Sequence, residues 1–100
     1  MIDFNDKEKT KHLLAEKAEM FKTIAHPVRL CILAMLIKEE QSNVTDIHCC
    51  IDVSQPTVSQ HLAKLKSAGI VSAERNGTEI IYKIKNQEVK HIVEEILQSN

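Results

Sequence analysis

The spacing of apolar residues changes abruptly at Gly69, and that change commits the chain to a mixed fold built mostly on helices. Up to Ser67 the apolar positions recur at helical spacings, and from Ile70 to Ile84 they alternate, as in a strand with one buried face. The alternating stretches Ile70 to Arg75 and Thr78 to Ile84 flank Asn76-Gly77, a dipeptide suited to the positive φ angles of a two-residue hairpin loop. Ile80, Tyr82 and Ile84 share one face of the second strand. Beyond Asn86, a candidate cap, the helical spacing returns, with Val89, Ile92, Val93, Ile96 and Leu97 on one stripe. Helices, then a hairpin, then one more helix: the earlier segments have to complete that frame.

Residues 6 to 24 read as an amphipathic helix, with Leu13, Leu14, Ala18, Phe21 and Ile24 at helical spacings. His26-Pro27 interrupts it, and since proline is tolerated in a first helical turn, Pro27 opens a second helix to about Glu39. Leu30 to Ile37 is apolar nearly all round, as a central core helix would be. Gln41-Ser42-Asn43 breaks the pattern, and Asn43 caps a short third helix whose Asp46 suits the positive helix end. Val44, Ile47 and Ile51 form its inward side. After Asp52-Val53, Ser54 caps a fourth helix that stops at Ala68-Gly69, where glycine can take the left-handed conformation. The expected fold is mainly α with a small β-hairpin, in the order of four helices, two strands and a fifth helix, as one domain over 1–100.

Composition narrows the function classes. A chain of 100 residues is short enough that dimerising adds useful core. With 43% hydrophobic and 27% charged residues and only two Gly and two Pro, disorder is excluded as the main state. The longest apolar run, Leu30 to Ile37, falls short of the roughly 18 residues of a membrane span, so no membrane partner is expected. Met1 to Asp6 has neither the basic start nor the apolar stretch of a secretory signal. Three cysteines, two of them adjacent, make a poor disulfide framework. A reducing, cytoplasmic compartment is the expectation.

The net charge of −1 looks wrong for a nucleic-acid partner until it is divided along the chain. Residues 54 to 85 hold Lys64, Lys66, Arg75, Lys83 and Lys85 against Glu74 and Glu79, a local +3. A two-fold dimer would double it on one face. The third and fourth helices, joined by a short turn, form a helix-turn-helix whose second helix carries the small polar residues that the major groove admits. On the wheel Val58, Leu62 and Leu65 face inward with His61 at the edge, while Gln55, Pro56, Ser59 and Gln60 face out near the N-terminus. Glutamine can bond adenine through N6 and N7, and serine is small enough to approach base edges. Ser54 and the backbone N–H groups of that end suit a phosphate, with Thr57 and Lys64 at the flanks. The hairpin tip, Arg75-Asn76-Gly77-Thr78, would be a wing on the DNA backbone or in the minor groove. A polar solvated face on an ordinary helix, or a winged helix-turn-helix that binds another protein, fits the same spacing.

Several segments resemble the ArsR/SmtB family in order along nearly the whole chain. They are Ala25-His26-Pro27-Val28-Arg29-Leu30, then Val53 to Leu65 with its Ser54-Gln55, Val58-Ser59 and His61-Leu62 elements, then Ala68-Gly69-Ile70-Val71, and Arg75-Asn76-Gly77 before Ile81-Tyr82. The resemblance implies a homodimeric bacterial repressor with winged-helix subunits, acting on double-stranded operator DNA that is palindromic. It implies a dimer interface on the first and last helices, where Leu13, Leu14, Phe21, Val89, Ile92, Val93 and Ile96 supply the apolar stripes.

Members of the family often sense metals. At the positions of one thiol site this chain has Asn43, Thr45 and His48, and at those of a site along the last helix it has Asn86, Glu88, Leu97 and Asn100. Leucine cannot ligate, and an Asn-Glu pair is a poor soft-metal site, so neither metal nor cofactor is expected. A thiol-redox branch pairs a second-helix cysteine with one near the C-terminus. Cys31 lies about one turn before that position, and no cysteine follows Cys50, so the pair cannot form within one chain. In His48-Cys49-Cys50 the adjacent thiols diverge by about 100° on a helix and do not converge on an ion. Packing is their leading reading, with oxidation of Cys31, Cys49 or Cys50 the alternative. His12, His26, His61 and His91 are scattered and read as packed or solvated. No orienting group or oxyanion nest accompanies His48 and Cys49, so an enzyme is not expected.

Overall fold

The computed structural model describes residues 2–49 and 51–98, without the side chain of Cys49. Its elements are α1 (Lys7–Ile24), α2 (Pro27–Glu39), β1 (Ser42–Asn43), α3 (Val44–Cys49), α4 (Gln55–Ser67), β2 (Val71–Asn76), β3 (Glu79–Ile84) and α5 (Gln87–Gln98).

Local chemistry accounts for most of the boundaries. The Asp6 carboxylate accepts from the Lys9 N–H at 3.1 Å and starts α1. At the α1–α2 junction, where the two axes meet at 90°, His26 Nδ1 accepts from the Val28 N–H at 3.0 Å, and Pro27 fixes φ in the first turn. Asn43 Oδ1 accepts from the Asp46 N–H at 2.7 Å, and Asn86 Oδ1 does the same for Val89 at 3.1 Å. Helix α4 ends on Gly69 at φ +74°. The Ile70 N–H returns to the Leu65 carbonyl and the Gly69 N–H to that of Lys66, both at 2.9 Å, the paired bonds of a Schellman stop. An alanine Cβ at position 69 would meet nothing within 4 Å, so Gly69→Ala carries only the left-handed backbone cost of about 1–2 kcal/mol. A thermal melt should show the midpoint lowered by several degrees.

Two features depart from expectation. Ser42–Asn43 is not merely a break: it pairs antiparallel with β3 at Ser42↔Tyr82 and Asn43↔Ile81, giving a three-stranded sheet in the order β1-β3-β2. Two residues are too few to show alternation. The hairpin loop is also shifted by one residue. Asn76 pairs with Glu79, so the loop is Gly77-Thr78, with Gly77 at φ +67° and Asn76 inside the strand. One glycine at the first loop position satisfies a II′ turn, whereas Asn-Gly would need positive φ at both residues.

The core gathers Ile32, Leu33 and Leu36 of α2, Ile47 of α3, Val58, Leu62 and Leu65 of α4, Ile70, Val71, and Val89 and Val93 of α5. Tyr82 and Ile84 pack against it, but Ile80, on the same strand face, is 40% exposed where the hairpin leaves the body. Val89 and Val93 are 0% and 1% exposed within the single chain. That corrects their assignment to a partner: their side of the α5 stripe is used up on the chain's own core.

Helix α1 is different, because only Thr10 and Ile24 of its 18 residues are buried. It makes the molecule long, 50 × 33 × 21 Å with a radius of gyration of 15.1 Å, against about 13 Å for a 100-residue domain. Its Leu13, Leu14 and Phe21 stand exposed, as do Ile96 and Leu97 at the end of α5. Among the described residues no single helix is long and apolar enough to cross a membrane.

Candidate nucleic-acid interface

Helix α4 is divided between a buried and an exposed side. Val58, Leu62 and Leu65 are each 0% exposed and fix its rotation about its axis, while Gln55, Pro56, Ser59 and Gln60 stand in solvent. Because α4 packs on α1, α2, α3 and β2, that polar row is held by four elements at once.

The N-terminal turn is more self-contained than the wheel suggests. Ser54 Oγ accepts from the Thr57 N–H at 3.3 Å and lies 2.8 Å from Thr57 Oγ1, so both hydroxyls are engaged in the cap and Thr57 is half-buried. Pro56 carries no N–H. Of the first three helical N–H groups, that of Gln55 is therefore the one left for an outside phosphate.

Lys64 stands on the exposed flank and lines an open hollow of about 520 Å³ with Lys22, Thr23, Arg29, Ala63, Ser67 and Ala68. Two cations that the helix-turn-helix pattern did not place beside α4, Lys22 and Arg29, thus join Lys64 from α1 and α2. Only proximity in the fold could have found them. On the hairpin Arg75, Asn76, Gly77 and Thr78 are all exposed, with Thr78 at the tip and Arg75 paired with Ile80. Asn43, the α3 cap, donates through Nδ2 to Glu79 and ties the base of the helix-turn-helix to the wing.

The candidate sensor residues fall apart. Cys31 is exposed on α2, Asn43 and Asn86 serve as helix caps, and Glu88 pairs with Lys17 at 2.6 Å. Leu97 is 45% exposed. The side chain of Cys49, and Cys50 and Asn100, lie outside the described residues.

Comparison with known proteins agrees with this arrangement. Residues 26–73 match the family described as bacterial regulatory protein, arsR family. The chain is 42% identical over 80 residues to the transcriptional repressor PagR of Bacillus anthracis, covering 80% of each chain. The crystal structure of PagR superposes with a TM-score of 0.79 at 40% identity, over 86% of this chain and 98% of that one. The HTH-type transcriptional repressor SmtB of Mycobacterium tuberculosis is 39% identical over 83 residues, 83% of this chain, which spans 61% of that relative's length. A homodimeric winged helix-turn-helix DNA-binding domain from Mycobacterium bovis superposes with a TM-score of 0.78 at 30% identity, over 89% of this chain and 82% of that one. With its own caps, core and hairpin in the same order, the chain belongs to the ArsR family of bacterial regulatory proteins and has the winged helix-turn-helix fold.

Proposed function

We propose that the chain is a transcriptional repressor of the bacterial cytoplasm that binds a palindromic duplex operator as a homodimer. The observation that carries this is the exposed row Gln55, Pro56, Ser59 and Gln60 on a helix whose opposite side is fully buried. Such a helix presents a fixed hydrogen-bonding edge to the major groove. In this reading Ser59 and Gln60 approach base edges, the Gln55 N–H and Lys64 hold phosphates, and Arg75, Asn76 and Thr78 place the wing.

The dimer is argued from surface. The chain exposes 7109 Å², whereas a folded monomer of its mass exposes roughly 5,700 Å² by size scaling. The excess is well over the approximately 800 Å² that each partner buries in a standard interface. Leu13, Leu14, Phe21, Ile96 and Leu97 are the large apolar side chains it would cover, and the relative from M. bovis is homodimeric. Two-fold symmetry then sets two α4 helices against two half-sites about one helical turn apart, which is why the operator should be a palindrome.

Selection of bound sequences from random duplex DNA, followed by titration against salt, tests the reading. Two phosphate-binding cations per protomer, Lys64 and Arg75, give an affinity slope near −4 in log–log form, and Arg75→Ala should reduce it by about 2 in the dimer. Binding without sequence preference or salt dependence would point to a protein partner instead.

A further inference from the structure

We propose that His26, Arg29 and His61 form a proton-sensitive tether that sets the pose of α4, so that operator affinity weakens as the pH falls below neutral. This rests on the reading of α4 as the DNA-reading helix.

The three residues tie three helices together. Arg29, on α2, donates through Nε to His61 Nδ1 on α4 at 3.1 Å and through Nη1 to the Thr23 carbonyl of α1 at 2.9 Å. The His61 ring packs on that of His26, with centroids 4.4 Å apart and planes at 45°. His26 Nδ1 in turn accepts from the Val28 N–H and caps α2. Both imidazoles therefore use Nδ1 as an acceptor. A protonated imidazole carries hydrogen on both nitrogens and accepts nothing, so the network exists only while both rings are neutral.

Every charged neighbour opposes protonation of His61. Burial acts first, followed by His26 from the α1–α2 junction, Arg29 from α2 and Lys64 from α4 itself, and together they lower its pKa from the ordinary 6.5. From α1, Lys22 shares the hollow with Arg29 and Lys64, and its own carboxylate neighbour is Glu19, 3.5 Å away. A folded pKa below the unfolded value means that the neutral network contributes fully above about pH 6.5 and is lost as the pH falls through the lowered value. Protonation removes the Arg29 bond and sets two cations side by side. His61 is next in sequence to Gln60 and three residues before Lys64, so release of its ring disturbs the turn that carries the groove-facing amide.

The sign of the effect separates this role from simple charge. An extra cation near DNA would tighten binding at low pH; loss of the tether weakens it. Fluorescence anisotropy with the labelled duplex recovered by selection, taken from about pH 7.5 to about pH 5.5, should show wild-type affinity falling about tenfold. The far-ultraviolet helical signal should persist. His61→Asn places Oδ1 where Nδ1 was and has no proton to gain, so its affinity should fall less steeply on acidification than that of the wild type. Nitrogen-15 spectra of the free protein near neutrality should show both Nδ1 atoms bare. The tether is overturned by wild-type affinity that is level or rises on acidification, by a loss that follows the helical signal, by an unchanged slope in His61→Asn, or by protonated Nδ1 atoms. Absence of specific binding at about pH 7.5 refutes the assignment of α4 instead, and the spectra then decide the network alone.

Discussion

Val93→Glu is expected to unfold the chain, whereas Ile96→Glu, three residues further along the same helix, should leave it folded and monomeric. Val93 is 1% exposed within the single chain. A carboxylate there has no water and no partner, a cost of several kcal/mol against a total stability of about 5–15 kcal/mol. Ile96 is 53% exposed and Phe21 51%, so a charge at either is solvated in the free protomer and becomes buried only when a second copy docks. Symmetry places the substitution twice in the interface. Circular dichroism should show Ile96→Glu with native helix content and sedimentation should show it as a monomer. Its operator affinity should drop about 100-fold or more, because one helix loses the effective concentration given by the other. Ile92, half-buried against the core, would mix both effects and is a poorer probe. A full dimer with Ile96→Glu would place the interface elsewhere.

Gln60→Ala should weaken operator binding about 30-fold or more and relax the preference at one base pair of each half-site. A bidentate amide–adenine pair contributes about 1–3 kcal/mol of discrimination, and a symmetric dimer makes it twice. Gln60 lies on the solvent side of α4, so the substitution leaves the core intact and the melting midpoint nearly unchanged. Repeating the selection with the variant is the check. A uniform loss across all sequences would mean that the amide touches phosphate rather than a base edge.

Most element boundaries were legible because local chemistry sets them. Pro27 with His26, Asn43, Ser54, Gly69 and Asn86 each start or stop a helix through bonds to residues a few positions away, and such bonds leave a signature in a short window. The inward residues of α4 were legible for the same reason, since three and four residues bring side chains to one face. What failed to show was non-local. Strand β1 is defined by a partner about forty residues away, and the hairpin loop moved by one residue when Asn76 found Glu79 across the ladder. The α5 stripe gave no hint that Val89 and Val93 turn to the core while Ile96 and Leu97 do not, because periodicity marks an apolar side without saying which neighbour covers it.

The DNA-reading helix divides along the same line. Its residues, its cap and its buried side follow from the sequence around 54–69, whose information is carried by contacts one helical turn apart. Its pose was decided by the tertiary structure, where Arg29 of α2 reaches His61 of α4 and the carbonyl of Thr23 on α1. Those residues are six and thirty-two positions apart from Arg29, and no single helix period joins them. Only the 90° meeting of α1 and α2 brings the guanidinium to both.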